Sequence, residues 1–114
     1  MPSQRVWISF DLGVQGDYEG LYQWLDGRNA IECGDSVASF DFAYAVDLPR
    51  ELGTELVANV RTNQRSRVYL IFVDAQGIRF GWLIGRGQRP AWEGYAPSGG
   101  AGDATFGWEP PTGR

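Results

Sequence analysis

The chain has no histidine, no lysine and a single cysteine among its 114 residues. Histidine is the usual general base near neutral pH, and lysine is required in P-loops and in Schiff-base enzymes. A Ser-His-Asp or Cys-His pair within one chain is therefore excluded, as is a histidine-ligated zinc site. If the chain catalyses a reaction, carboxylates remain to do it, and a divalent metal is the cofactor to expect.

Long hydrophobic runs are missing as well. No stretch of about 18 apolar residues occurs, so we expect no transmembrane helix and no membrane association. The N-terminus leads into a strand pattern without the apolar stretch of a signal peptide. Cys33 has no second cysteine to pair with, which suits a reducing compartment, and we expect it to be a small buried apolar residue. These features predict a cytoplasmic protein.

The length and the 43% apolar content predict a single domain. We place it at residues 1–97, followed by a Gly/Pro-rich segment, 98–114, that we expect to be flexible. Two large aromatic residues, Trp92 and Tyr95, precede that segment. We expect them to anchor it to the sheet of the same chain or of a partner.

Charge is unevenly distributed around the net value of −4. The first 60 residues contain ten acidic residues against three arginines, whereas residues 61–89 contain six arginines against one aspartate. Four of these arginines are candidates for phosphate binding: Arg61, Arg65, Arg67 and Arg86. If they converge, they could grip phosphates. The alternative is a solvated surface paired with the acidic half, and the pI of about 4.6 favours it.

Two helices are predicted from apolar stripes and capping residues. The first follows Asp17 as its N-cap and is closed by Gly27. The second extends from about Leu48 to Val60, with Asp47 as its N-cap. Both stripes are spaced for one buried face.

Alternating apolar residues predict the strands. Arg5–Leu12 is the first, and Asn29–Ala45 is extended but interrupted at 34–35 by a bulge, a bend or a hairpin turn. Arg67–Val73 is apolar on both sides and is predicted to be central, and Ile78–Ile84 forms a hairpin with it. This order predicts a ferredoxin-like α+β sandwich, with two helices on one face of a mainly antiparallel sheet of four or five strands.

Asp11 is the first candidate for chemistry because it ends the first strand just before a glycine loop. Its carboxylate could hold Mg²⁺ with several waters still bound, and two copies in a two-fold dimer could share the ion. Alternatively, Asp11 caps the loop by accepting backbone N–H bonds near Gly13. The residues alone leave both alternatives open.

The stretch Val6-Trp7-Ile8-Ser9-Phe10-Asp11-Leu12 resembles the first strand of the small CRISPR-associated adaptation ribonucleases and of the virulence-associated protein D toxins. The segment Asp35-Ser36-Val37-Ala38-Ser39-Phe40 is similar to their Ser-Val-aromatic strand, and the resemblance covers about residues 5–73. It implies a ferredoxin-like homodimer that acts on RNA or DNA backbones. In that family context Asp11 would be the catalytic or metal-binding residue.

Two main hypotheses about function follow. The first is a Mg²⁺-dependent nuclease-like protein of a toxin or defence system, which requires an exposed Asp11 near Arg65 or Arg67 and paired across a dimer axis. The alternative is a non-catalytic protein-interaction module of the same fold. It requires Asp11 bonded to its own loop and an exposed apolar patch elsewhere. A small-molecule module in the cleft between sheet and helices has no specific motif.

Overall fold

A computed structural model describes residues 1–97 of the chain. They form two helices and a five-stranded antiparallel sheet. The elements in chain order are β1 (Ser3–Asp11), α1 (Tyr18–Gly27), β2 (Ile31–Glu32), β3 (Val37–Ala43), α2 (Leu48–Asn59), β4 (Arg67–Asp74) and β5 (Gly77–Ile84). The predicted flexible segment, 98–114, lies outside the described residues.

Both helices begin where their capping residues predict. The Asp17 carboxylate accepts the backbone N–H of Gly20 at 3.0 Å, and the Asp47 carboxylate accepts that of Arg50 at 3.2 Å. Each side chain satisfies a donor that the first helical turn leaves without an intrahelical partner. Within residues 1–97 neither helix has the length and apolarity to cross a membrane.

The strand order is β2-β3-β1-β4-β5, with every neighbouring pair antiparallel. The interruption in the second extended stretch is a hairpin turn, in which the N–H of Val37 bonds to the carbonyl of Gly34 at 3.2 Å. The architecture is compatible with a ferredoxin-like arrangement. Because β5 adds a strand beyond β4, the order is not the usual four-stranded one.

The core lies between the two helices and one face of the sheet. The buried residues alternate along the strands and recur at helical spacing, as the period of each element requires. The strands contribute Val6, Ile8, Phe10, Ala38, Phe40, Phe42, Val68, Leu70 and Phe72, and the helices contribute Leu21, Trp24, Leu25, Leu48, Leu52 and Leu56. The prediction of two helices on one face is therefore confirmed.

A polar cluster joins the two helices at the margin of this core. The indole N–H of Trp24 donates to the Glu55 carboxylate at 3.0 Å, and the same carboxylate forms an ion pair with Arg28. The guanidinium of Arg28 lies 5.0 Å from the ring centroids of both Trp24 and Phe42. Burial lowers the pKa of Arg28. Glu55 thus satisfies two donors in a partly dry environment, one on α1 and one on the residue that follows it.

A second carboxylate organises the loop before α2. Glu51 accepts the backbone N–H groups of Ala45, Val46 and Asp47 at 2.7, 2.8 and 2.7 Å. These three hydrogen bonds hold the pKa of Glu51 below its ordinary value. The loop that leads from β3 into α2 is therefore fixed by an ionised side chain of the helix itself.

Candidate functional site

Asp11 lies at the end of β1, directly opposite Arg67 of β4 in the ladder. One carboxylate oxygen accepts the N–H of Gly13 at 3.1 Å, and the other accepts the guanidinium of Arg67 at 3.2 Å. The pKa of Asp11 is lowered, first by the Gly13 hydrogen bond and then by the Arg67 hydrogen bond. The loop contact of the capping alternative is therefore present. The side chain remains 58% exposed.

The surroundings of Asp11 within one copy of the chain do not fit Mg²⁺. Both oxygens already accept hydrogen bonds, and one of the donors is a cation. Among residues 1–97, no three His, Cys, Asp or Glu side chains come together as a metal-binding group. Mg²⁺ in proteins is usually held by one or two carboxylates together with waters and substrate oxygens. A site built on Asp11 would need ligands from outside this copy.

The four candidate arginines do not converge on one point. Arg67 pairs with Asp11. Arg65 packs against the loop that follows Asp11: a Cβ added at Gly13 would lie 3.2 Å from the Cβ of Arg65. Arg61 instead turns to the start of α1, where its backbone N–H donates to Asp17 at 2.9 Å. Its guanidinium lies 3.7 Å from that carboxylate and is 90% exposed.

Arg86 is exposed, and its side chain makes no hydrogen bond or ion pair with the part of the chain that the structure describes. It follows Gly85, which packs closely on β4: a Cβ at Gly85 would lie 2.5 Å from the carbonyl oxygen of Ser66. The structure thus assembles Arg65 and Arg67 around Asp11, while Arg61 is held elsewhere and Arg86 only adjoins the group.

The side of the sheet opposite the helices carries a row of large apolar side chains that neither helix covers. We call it the open face. On β4 and β5 its exposed members are Ile71, Val73, Ile78, Phe80 and Trp82, with exposed fractions of 39, 47, 68, 68 and 42%. Their register pairs them across the two strands, so they form one continuous surface.

Aromatic contacts fix the geometry of the open face. Tyr69 lies between two β5 rings: its ring is edge-on to Trp82 at a centroid distance of 4.9 Å and stacked on Phe80 at 6.5 Å. Arg67 lies 5.5 Å from the Trp82 ring centroid. These contacts join the Tyr69, Phe80 and Trp82 rings into one aromatic group on the open face.

The sequence analysis did not identify this surface. Apolar residues on both sides of β4 predict a strand buried in the centre of the sheet. The strand is central, but only the helix-facing side of β4 is buried. The predicted arrangement itself indicates such a surface, because two helices packed on one face leave the other face of the sheet without a cover.

Two further expectations differ from the structure. Cys33 is exposed rather than buried, because it lies in the turn between β2 and β3 at the margin of the sheet. Trp92 and Tyr95 are 76% and 85% exposed, so they do not anchor their segment on the sheet of their own chain. Anchoring on a partner stays a prediction.

Comparison with protein-family models, with curated proteins and with solved structures finds no significant match to this chain. The resemblance of residues 5–73 to the small ribonucleases and toxins named above therefore stays a prediction. The case for a function rests on the chemistry of the two surfaces described here.

Proposed function

We propose that this protein is a non-catalytic protein-interaction module, built on a ferredoxin-like sandwich with an added fifth strand, that binds another polypeptide through its open face. The observation that carries the proposal is the row of exposed apolar side chains on β4 and β5. Aromatic side chains present roughly 150–250 Å² each and aliphatic ones somewhat less, so the exposed fractions amount to about 500 Å². That is near the upper end for a monomer, where the largest patch is often functional.

Charge favours a polypeptide over a nucleic acid as the occupant. Two of the arginines that flank the open face are paired: Arg67 with Asp11 at 3.2 Å, and Arg5 with Asp41 at 3.1 Å. This leaves Arg65 and Arg86 without an ion pair among residues 1–97. The whole chain has a net charge of −4. A surface that binds nucleic-acid backbones needs unpaired positive charge, whereas the centre of a protein interface is apolar and depleted in charge.

A matched pair of variants tests the proposal by copurification from the cells that encode the protein. Phe80→Ser removes a ring from the open face, and Val57→Ser removes an apolar side chain that is 52% exposed on α2. We expect a polypeptide that copurifies with wild type and with Val57→Ser but is lost with Phe80→Ser. Equal retention by both variants would contradict the assignment of the binding surface.

A Mg²⁺-dependent nuclease-like activity of a toxin or defence system is the second candidate. The observation that favours it is an exposed carboxylate, Asp11, between two arginines at the end of β1. Because one copy supplies only a single carboxylate there, waters, substrate oxygens or the Asp11 of a second copy in a homodimer would complete the coordination of Mg²⁺.

The test is cleavage of RNA and DNA by purified protein with Mg²⁺ or Mn²⁺, comparing Asp11→Asn with Asp74→Asn. Asp74 is the matched control because its carboxylate also pairs with an arginine, Arg79, at 2.9 Å. Metal-dependent cleavage that only Asp11→Asn abolishes would support the nuclease. Cleavage by neither wild type nor control would count against it for those substrates.

A further inference from the structure

The two edges of the sheet differ in how they are protected. The edge strand β2 is only two residues long, which leaves little backbone to pair with. The opposite edge strand, β5, has eight residues, and within residues 1–97 no strand pairs with its outer side. Natural proteins protect a long edge with lysine, proline or a bulge that twists it away. β5 contains neither lysine nor proline, and its one charge, Arg79, is engaged by Asp74. Its one register irregularity lies near its C-terminal end, between Trp82 and Ile84, and leaves the stretch from Gly77 to Trp82 regular.

Hairpin geometry shows which backbone groups of β5 face outward. A two-residue turn connects Asp74 to Gly77, and the two residues that flank such a turn form a hydrogen-bonded pair. Along an antiparallel ladder, hydrogen-bonded and non-hydrogen-bonded pairs then alternate. Arg79 therefore bonds back to β4. Ile78 and Phe80 lie in the alternate pairs, where the N–H and C=O groups point away from β4. The same two residues carry the most exposed side chains of the open face.

We propose that a second copy of the chain pairs its own β5 antiparallel to this β5 across a two-fold axis, at the sheet edge that borders the open face. This inference goes beyond the proposed function, since pairing at the edge leaves the open face of both copies uncovered. The strand is complementary to itself. In a two-fold antiparallel pair, the apolar residues of one β5, Ile78, Phe80 and Trp82, lie beside those of the other β5 on the same side of the sheet. Pairing would give a continuous ten-stranded sheet and a single apolar face across both copies.

The area indicates the strength of the association. Pairing at the edge contacts the outer side of one eight-residue strand and the margins of its side chains, which covers less area per copy than the roughly 800 Å² per partner of a standard interface. The backbone hydrogen bonds of the two edges add to it, as they do when an extended segment joins a sheet. We therefore expect a reversible dimer that forms in the micromolar range.

Sedimentation equilibrium of the purified full-length protein, from about 1 to about 100 μM, tests this inference. We expect wild type to change from monomer to dimer over that range. Phe80→Pro removes an outward N–H without removing a ladder bond to β4, so it should remain monomeric. Phe80→Ala keeps that N–H and should weaken the dimer about tenfold. Val57→Ser alters an exposed apolar side chain on α2, outside the sheet, and should dimerise within threefold of wild type.

Far-UV circular dichroism verifies that each variant is folded, and Ile78→Pro replaces Phe80→Pro if the latter is not. A wild type that is monomeric at every concentration would overturn the inference. So would a folded proline variant that dimerises like wild type, or a Val57→Ser dimer as weak as the proline variant. Loss of a different copurifying polypeptide in Phe80→Ser, with a monomeric wild type, would overturn the second copy as partner while supporting the proposed function.

Discussion

The two faces of the β4–β5 hairpin should respond oppositely to the same truncation. Phe72 is 5% exposed on the helix side, and Phe80 is 68% exposed on the open face. Phe72→Ala removes a fully buried ring and leaves a cavity, so it should lower the free energy of unfolding by about 3–5 kcal/mol. In Phe80 only about 60 Å² of the ring is out of water, which corresponds to at most about 1.5 kcal/mol.

Urea unfolding followed by far-UV circular dichroism measures both values, at about 1 μM protein so that association does not contribute. The order should reverse in the partner-binding assay, where Phe80→Ala should be the more damaging change in any protein that stays folded. A loss of stability in Phe80→Ala as large as that in Phe72→Ala would refute the reasoning. It would show that the open face contributes to the fold as much as the core does.

Three further predictions concern residues that shape the fold. Glu55→Ala should lower the free energy of unfolding by about 2 kcal/mol, because the Trp24 indole N–H loses its acceptor. Glu55→Gln keeps an acceptor and should lower it by about half as much. Equal losses of the two variants in urea unfolding would contradict this. Glu51→Gln should lower the melting temperature at pH 7. The folded-state pKa of Glu51 is depressed below 4.5, so the ionised carboxylate stabilises the fold above that pH. The difference in melting temperature between wild type and Glu51→Gln should therefore shrink as the pH falls below it. A difference that does not change with pH would contradict the role of the ionised carboxylate. Gly85→Ala should cost more than about 1 kcal/mol, because φ is +74° and the added Cβ would lie 2.5 Å from the Ser66 carbonyl oxygen; a neutral effect on unfolding would show that the loop relaxes.

The helices were predictable from local chemistry. Asp17 and Asp47 each accept an N–H three residues ahead, and such a capping interaction is encoded within a few positions of the sequence. The start of β4 at Arg67 and its hairpin with β5 were predicted for a similar reason, since alternation and a short turn are local patterns. The buried face predicted for the second helix is also observed, at Leu48, Leu52 and Leu56.

The site was less predictable because its contacts span the chain. Asp11 and Arg67 are 56 positions apart, and only the pairing of β1 with β4 brings them together. The sequence analysis placed Arg61 in the same group, yet its N–H bonds to Asp17 at the start of α1. The exposure of Phe80 depends on what covers the sheet, which is a property of the assembled layers and not of β5 alone.

The central claim is that the open face binds a polypeptide, and site-specific photocrosslinking tests it most directly. A benzoylphenylalanine at position 80 would report what touches the open face inside cells, and one at position 57 on α2 would serve as the matched control, since both native side chains are more than half exposed. The account predicts an ultraviolet-dependent crosslink to a polypeptide, identified by mass spectrometry, at position 80 and not at position 57. No crosslinked polypeptide at position 80, or the same products at both positions, would contradict it.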